Sequence, residues 1–204
     1  MASSATIERG TAAGHRVDEA AARQVAAAFL EAVSAPEDLR VRAAYAQLSR
    51  QADSWFARLT APAVGDAVRV VFTRLDEPYA DSSELLESVR SHRVLELVSV
   101  AHDKERRHPL LDGMVGGSHD RFRAVHDIVS HGWLGHDFSR DGEYSAWLAE
   151  DRIYRGVARW VLGTELHAHH SVRWTTGSIA PFKAVLLPPN LLRASMDAGH
   201  PVAL

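Results

Sequence analysis

Between residues 121 and 174 the chain reads as helix, yet carboxylates and imidazoles occupy positions that helical periodicity would bury. An ionised carboxylate is very costly to bury alone, so each must meet a cation, a proton or a dense shell of hydrogen bonds. Only folds that bring these polar positions together are therefore open to the chain. On a helix over residues 143–160, at roughly 100° per residue, Glu143, Ala146, Trp147, Glu150, Tyr154, Val157 and Val161 share one face. Ser145, Arg152, Arg155 and Arg159 lie opposite. The following stretch, 161–174, sets Glu165 on a face with Val161, Ala168 and Val172, and His169 follows one turn along. In the helix before, 121–134, Asp127 and His131 are also four residues apart and lie side by side. His126 stands about 140° around the axis from His131 on a continuous α-helix. It falls beside the apolar stripe of Phe122, Val125, Val129 and Trp133, which suits a core or catalytic role better than a ligating one, unless Gly132 and Gly135 bend the helix.

The chain has 12 histidines and no cysteine. Disulfides, thiolate catalysis and sulfur-held metals are thereby excluded, and a bound metal must rest on imidazole and carboxylate, a set suited to iron, manganese or zinc. The candidate ligands are Asp127, His131, Glu143, Glu150, Glu165 and His169. Two readings stand side by side: each carboxylate is paired with arginine, or the set holds metal. Dinuclear iron and manganese carboxylate proteins use Glu-x-x-His pairs on bundled helices, one residue shorter than the spacing here. A mononuclear site of two histidines and one carboxylate fits a subset of the same residues. The remaining histidines are assigned peripheral places: His167 and His170 on outer or flanking helix faces, His102, His119 and His136 at the surface, and His108 in a loop near the site. Residues 104–107 read as a solvated charged loop. Tyr144 and Tyr154 are core aromatics with a possible acid–base role.

Elsewhere the period changes. Apolar residues at helical spacing between Val17 and Leu59, interrupted at Pro36, predict two helices. Residues 67–72 and 94–100 predict strands, and Asp81 followed by Glu84 marks the start of an intervening helix. The expected fold is α+β and predominantly helical: a helical body with a small β-α-β unit, forming one globular domain over residues 17–204 after a flexible segment 1–16. No segment reads as a signal peptide or membrane span, which predicts a cytoplasmic protein without membrane partners. A net charge of −3 provides no broad basic field for nucleic acid. The expected partner is a small-molecule substrate.

The stretch HDRFRAVHDIVSHGWLGHDFSRDGEYSAW, preceded by DEPYADSSELLESVRSHRVLEL and HPLL and followed by GTEL and FKAVLLP, resembles a largely uncharacterised group of bacterial and phage-encoded proteins. Their shared pattern is Phe-Arg-x-Val-His-Asp, a histidine, Gly-Glu-x-x-Ala-Trp, then Thr-Glu. The resemblance covers residues 69–189 and points to His126, Asp127, His131, Glu143, Trp147 and Glu165. Two departures stand out: Glu150 replaces a histidine of the pattern, and His167-Ala168-His169-His170 replaces polar amides and glycine. A weaker resemblance is to HD-type metal phosphohydrolases and their di-iron oxygenase relatives, carried by His-Asp dipeptides at His102, His119, His126 and His136.

The leading functional expectation is a non-heme iron or manganese enzyme that oxidises a small molecule with dioxygen. In it Glu143, Glu165 and His126 are catalytic, and Trp133, Trp147 and Tyr154 shape the substrate pocket. The alternatives are metal-assisted hydrolysis of a phosphoester or amide, with Glu143 or Glu165 as general base, and a binding protein with a buried ion-pair network.

Overall fold

Two aspartates start the N-terminal helices. The Asp18 carboxylate accepts from Ala21 N–H and opens α1 (Glu19–Glu31), and Asp38 accepts from Arg40 and Val41 N–H and opens α2 (Leu39–Thr60). Their buried faces, including Val25, Phe29, Tyr45 and Leu48, enter the larger apolar core. The computed structural model describes residues 14–63, 65–74, 77–103 and 107–201. Residues 1–13 of the expected flexible segment, and Lys104, Glu105 and Arg106 of the expected charged loop, lie outside the described residues. Ahead of α1, β1 (His15–Arg16) pairs antiparallel with β4 (His200–Pro201), tying the two ends of the described chain together.

The β-α-β unit forms as the change in period predicts. Strands β2 (Arg69–Thr73) and β3 (Val94–Val98) are parallel, with Arg69 opposite Val94 and Thr73 opposite Val98. Between them α3 (Ser82–Glu87) is capped by the Asp81 carboxylate and runs on as a π-helical stretch, Ser88–His92. The unit packs on α2 and α4 through a second apolar cluster that includes Trp55, Val89, Leu95, Val125 and Ile128. The fold is thus α+β and predominantly helical.

The polar helices depart from regular α geometry. Helix α4 (Ser118–His126) continues as a π-helical segment, Asp127–Trp133, in which residues five apart, and no longer four, are joined. Leu134 N–H accordingly donates to Val129 O at 3.0 Å. Arg90 supports the widened turn by donating from Nε to Gly132 O at 3.0 Å and from Nη2 to Trp133 O at 2.7 Å. Gly132 lets this segment approach the π-helical stretch that continues α3, because a Cβ there would stand 2.5 Å from Val89 Cγ1.

The continuous helix expected over 143–160 is interrupted. Helix α5 (Arg140–Glu150) stops, residues 151–157 turn, and α6 (Ala158–Gly163) begins a new course. Gly156 has φ +62°, a left-handed conformation that suits glycine, and Arg159 Nε donates back to Asp151 Oδ1 at 2.9 Å across the turn. Helix α6 passes through a third π-helical segment, Thr164–Ala168, into α7 (His169–Thr176). An irregular stretch leads to α8 (Pro189–Ala198). No described helix is long and apolar enough to cross a membrane.

Candidate metal centre

The π-helical turn after His126 decides the geometry of the site. Residues 126 and 131 diverge on an α-helix, but across the widened turn their rings converge, with Nε2 atoms 3.1 Å apart. Glu143, in the first turn of α5, brings Oε2 to 3.3 Å from His126 Nε2 and 3.8 Å from His131 Nε2. One donor atom from each of the three residues lies within 4.8 Å of the others, and all three residues are buried.

The hydrogen bonds behind these atoms define what they offer. His126 Nδ1 lies 2.6 Å from Glu150 Oε1, and His131 Nδ1 lies 2.7 Å from the carbonyl oxygen of His136. A carboxylate and a carbonyl only accept, so both Nδ1 atoms carry hydrogen, and each ring, when neutral, presents a lone pair at Nε2. Glu143 Oε2 is buried and takes no hydrogen bond from a described residue. With both rings neutral, three acceptors face one another, an arrangement that needs a proton or a metal cation among them. A proton can fill the role: although burial opposes it, Glu150 and then Glu143 hold the pKa of His126 well above its ordinary value. A metal ion can also fill it, because donors bonded at about 2.1 Å to one ion stand roughly 3 to 3.5 Å apart, near the separations of 3.1 and 3.3 Å and a little short of the 3.8 Å between Glu143 and His131. The donor set and spacing fit a transition-metal ion held by two imidazoles and one carboxylate.

Glu150 is completely buried and also accepts from Ser130 Oγ at 2.6 Å. It orients His126 from behind and raises its basicity, the arrangement found behind metal-bound histidines in general. His170 approaches from the other side, with Nε2 3.4 Å from Glu143 Oε2. Burial pushes its pKa down to about 4, leaving a neutral imidazole near pH 7. Burial also works against ionisation of Glu143, but His170, His126 and His131 around it hold its carboxyl below the usual range.

These groups form the floor of a cavity of about 290 Å³. Its walls include Phe122, Phe138, Leu166, Ile179 and Phe182, and Glu165 and His169 lie along one side. The Tyr45 hydroxyl donates to Glu165 Oε1, while Glu165 Oε2 stands 3.7 Å from His169 Nε2. His108 stacks on Tyr45 with ring centroids 4.6 Å apart and donates from Nε2 to Lys183 O at 2.9 Å. It fixes the irregular stretch that carries Phe182, much as its loop position suggests.

The candidates named from sequence are thus divided among several places. Glu143 and His131 meet. His126 joins them, and the expectation that it cannot reach the same point fails because the helix is not α-helical there. Asp127 lines the cavity but is absent from the convergent group. Glu150 faces the rear of His126. Glu165 and His169 pair with each other. The expected pocket aromatics lie elsewhere: Trp147 is fully buried and stacks on His167 at 4.3 Å, Tyr154 is buried in the larger core, and Trp133 packs with the sheet cluster. The break after Glu150 removes Tyr154 from the face of Glu143. His119, His136 and His167 are buried, contrary to the peripheral places expected, whereas His102 is exposed. His170 is the residue sequence reasoning missed. The available signal was its spacing, five residues after Glu165, matching the five between His126 and His131. Comparison with protein-family models, curated proteins and solved structures finds no match to this chain.

Proposed function

We propose that the chain is a metal-dependent oxidoreductase that uses iron(II), or alternatively manganese, and dioxygen to oxidise a small molecule. The observation that carries this reading is the meeting of His126 Nε2, His131 Nε2 and Glu143 Oε2, all buried, on an aromatic-walled cavity. Two histidines and one carboxylate with open positions are the donor set of non-heme iron oxygenases. The ion would supply a redox-active centre able to take dioxygen and substrate together. The protein's part is to hold the imidazoles by Nδ1, keep Glu143 ionised, and exclude water with Phe122, Phe138 and Phe182. On this reading Glu165 and His169, which line the same cavity, accept or return a proton. Membership of the bacterial and phage-encoded group belongs to the same proposal, supported by the residues at 126, 131, 143 and 165.

One observation favours a second reading, metal-assisted hydrolysis. Two histidines and a glutamate also hold catalytic zinc, and Glu165 in the same cavity can serve as base toward a metal-activated water. The experiment that separates them begins with elemental analysis of protein purified without chelator. Stoichiometric iron, with substrate-dependent oxygen consumption lost in His131→Ala and Glu143→Ala, is the expected result. Anaerobic turnover of phosphoesters or amides by zinc-loaded protein would favour hydrolysis. Absence of stoichiometric transition metal, with no thermal stabilisation by added iron(II), would overturn both.

A further inference from the structure

The cavity has a polarity of its own beyond the metal ligands. Arg123 precedes His126 by three residues on α4, and Arg173 follows His170 by three on α7, so each shares a helix face with a residue at the floor. Both arginines line the cavity. Arg123 is half-buried and anchored through Nη1 to Val98 O at 2.5 Å, whereas Arg173 is exposed and makes no hydrogen bond or ion pair with another described side chain. The cavity is thus graded: buried imidazoles and Glu143, aromatic and aliphatic walls, the half-buried Arg123 in its lining and the exposed Arg173 at its rim.

Charge points the same way. The carboxylates lining the cavity are Asp127, Glu143 and Glu165, and the arginines are Arg123 and Arg173. With a divalent ion at the floor, positive charge exceeds carboxylate charge by one. A guanidinium is permanently charged and matches a carboxylate with two parallel N–H donors. The walls, in contrast, offer Phe122, Phe138, Leu166, Ile179 and Phe182 to an apolar body.

We infer that the substrate is a small monocarboxylic acid with an aromatic or branched apolar body, its carboxylate held by Arg173 at the rim with Arg123 in the lining adding positive charge, and its apolar end directed to the metal. The reacting carbon is then remote from the acid group. This inference rests on the proposed metal centre and adds the class and orientation of what that centre acts on. A preference for the charged acid over its neutral amide follows, because the amide leaves the excess positive charge unanswered and cannot accept the same paired donors.

The test uses 3-phenylpropanoate and its uncharged counterpart 3-phenylpropanamide as probes, titrated calorimetrically into the metal-loaded full chain. Metal content is measured first in every sample, so protein that takes up no metal overturns the centre itself, and loaded protein without acid preference overturns only this inference. The expected result is that wild type binds the acid at least tenfold more tightly than the amide. Arg173→Gln should bring the two within about threefold without changing metal content, and Arg173→Glu should reverse the preference. Arg173 is exposed, so these variants leave the core packing in place. Equal binding of both probes to loaded wild type, binding of neither, or an acid preference unchanged in Arg173→Gln would each overturn the assignment.

Discussion

Replacing Glu150 by glutamine tests the arrangement behind the proposed metal ligands without removing one of them. The side chain is fully buried, and its Oε1 receives two bonds of 2.6 Å, from Ser130 Oγ and from His126 Nδ1. Glutamine keeps the shape and can still accept both bonds through its carbonyl oxygen, so the ring need not turn. What is lost is the negative charge that makes the His126 bond charge-assisted, a class worth about 1.5 to 3 kcal/mol against about 1 for a neutral bond. Loss of such a partner lowers metal affinity by roughly 10- to 100-fold in comparable sites, equivalent to about 1.4 to 2.7 kcal/mol. Competition for cobalt(II) against a chromophoric chelator measures the affinity, and far- and near-UV circular dichroism establishes that the fold is retained. Glu143→Gln, which alters a ligand, should lose more than Glu150→Gln, and Ser130→Ala should lose less. An intact Glu150→Gln protein with wild-type affinity, or with a loss equal to that of Glu143→Gln, would refute the distinction between the group that orients and the group that binds.

Three further outcomes are expected. His131→Ala and Glu143→Ala should each reduce metal content well below stoichiometric, while His200→Ala, in exposed β4, should not; equal content in all three by elemental analysis would refute the assignment. Burial pushes both His119 and His167 down to about 3, so the unfolded chain, with histidine near 6.5, takes up these protons first. Stability from each is full above pH 6.5 and falls by about 1.4 kcal/mol per unit as pH drops toward 3. Urea denaturation of metal-free His167→Gln should therefore show a shallower acid dependence than wild type, and parallel curves would contradict it. The buried Asp120 carboxylate accepts from Ser99 Oγ at 2.6 Å and from Val100 and Gly116 N–H at 2.9 Å each. Asp120→Ala should cost about 3 kcal/mol or more in denaturant unfolding, since stranded buried donors cost about 1 to 3 kcal/mol apiece, and a loss below about 1 would show that water replaces the carboxylate.

What the sequence discloses follows from which rule each feature obeys. The β-α-β unit was legible because β-branched runs and the Asp81 cap state their conformation locally, and β2 and β3 pair as that pattern requires. The inward carboxylates were legible because burial penalises charge irrespective of helix detail: Glu143, Glu150 and Glu165 are all buried. Partnership was not legible, since it depends on helix pitch. Angles of 100° per residue set Asp127 beside His131 and turned His126 away; an i to i+5 turn reverses that choice with the apolar pattern unchanged. The same assumption put His170 on a flanking face and carried Tyr154 along a helix that ends at Glu150.

The π-helical segments Asp127–Trp133 and Thr164–Ala168 are therefore part of the site and not incidental distortions. Such turns are rare, because they widen the helix and weaken its packing, and they persist where other contacts compensate. Here Arg90 ties down the carbonyls of Gly132 and Trp133, and Val89 fills the space left by the missing Cβ of Gly132. The stretches 126–131 and 165–170 each have polar groups five residues apart across a widened turn, one ending at Glu143 through His131 and the other through His170. A regular α-helix at either place would withdraw an imidazole from that carboxylate. Convergence on Glu143 thus depends on an extra residue in each of two helices, and the packing of Val89, in the stretch between the two strands, against Gly132 connects the small parallel sheet to the site although neither strand supplies one of the three convergent groups.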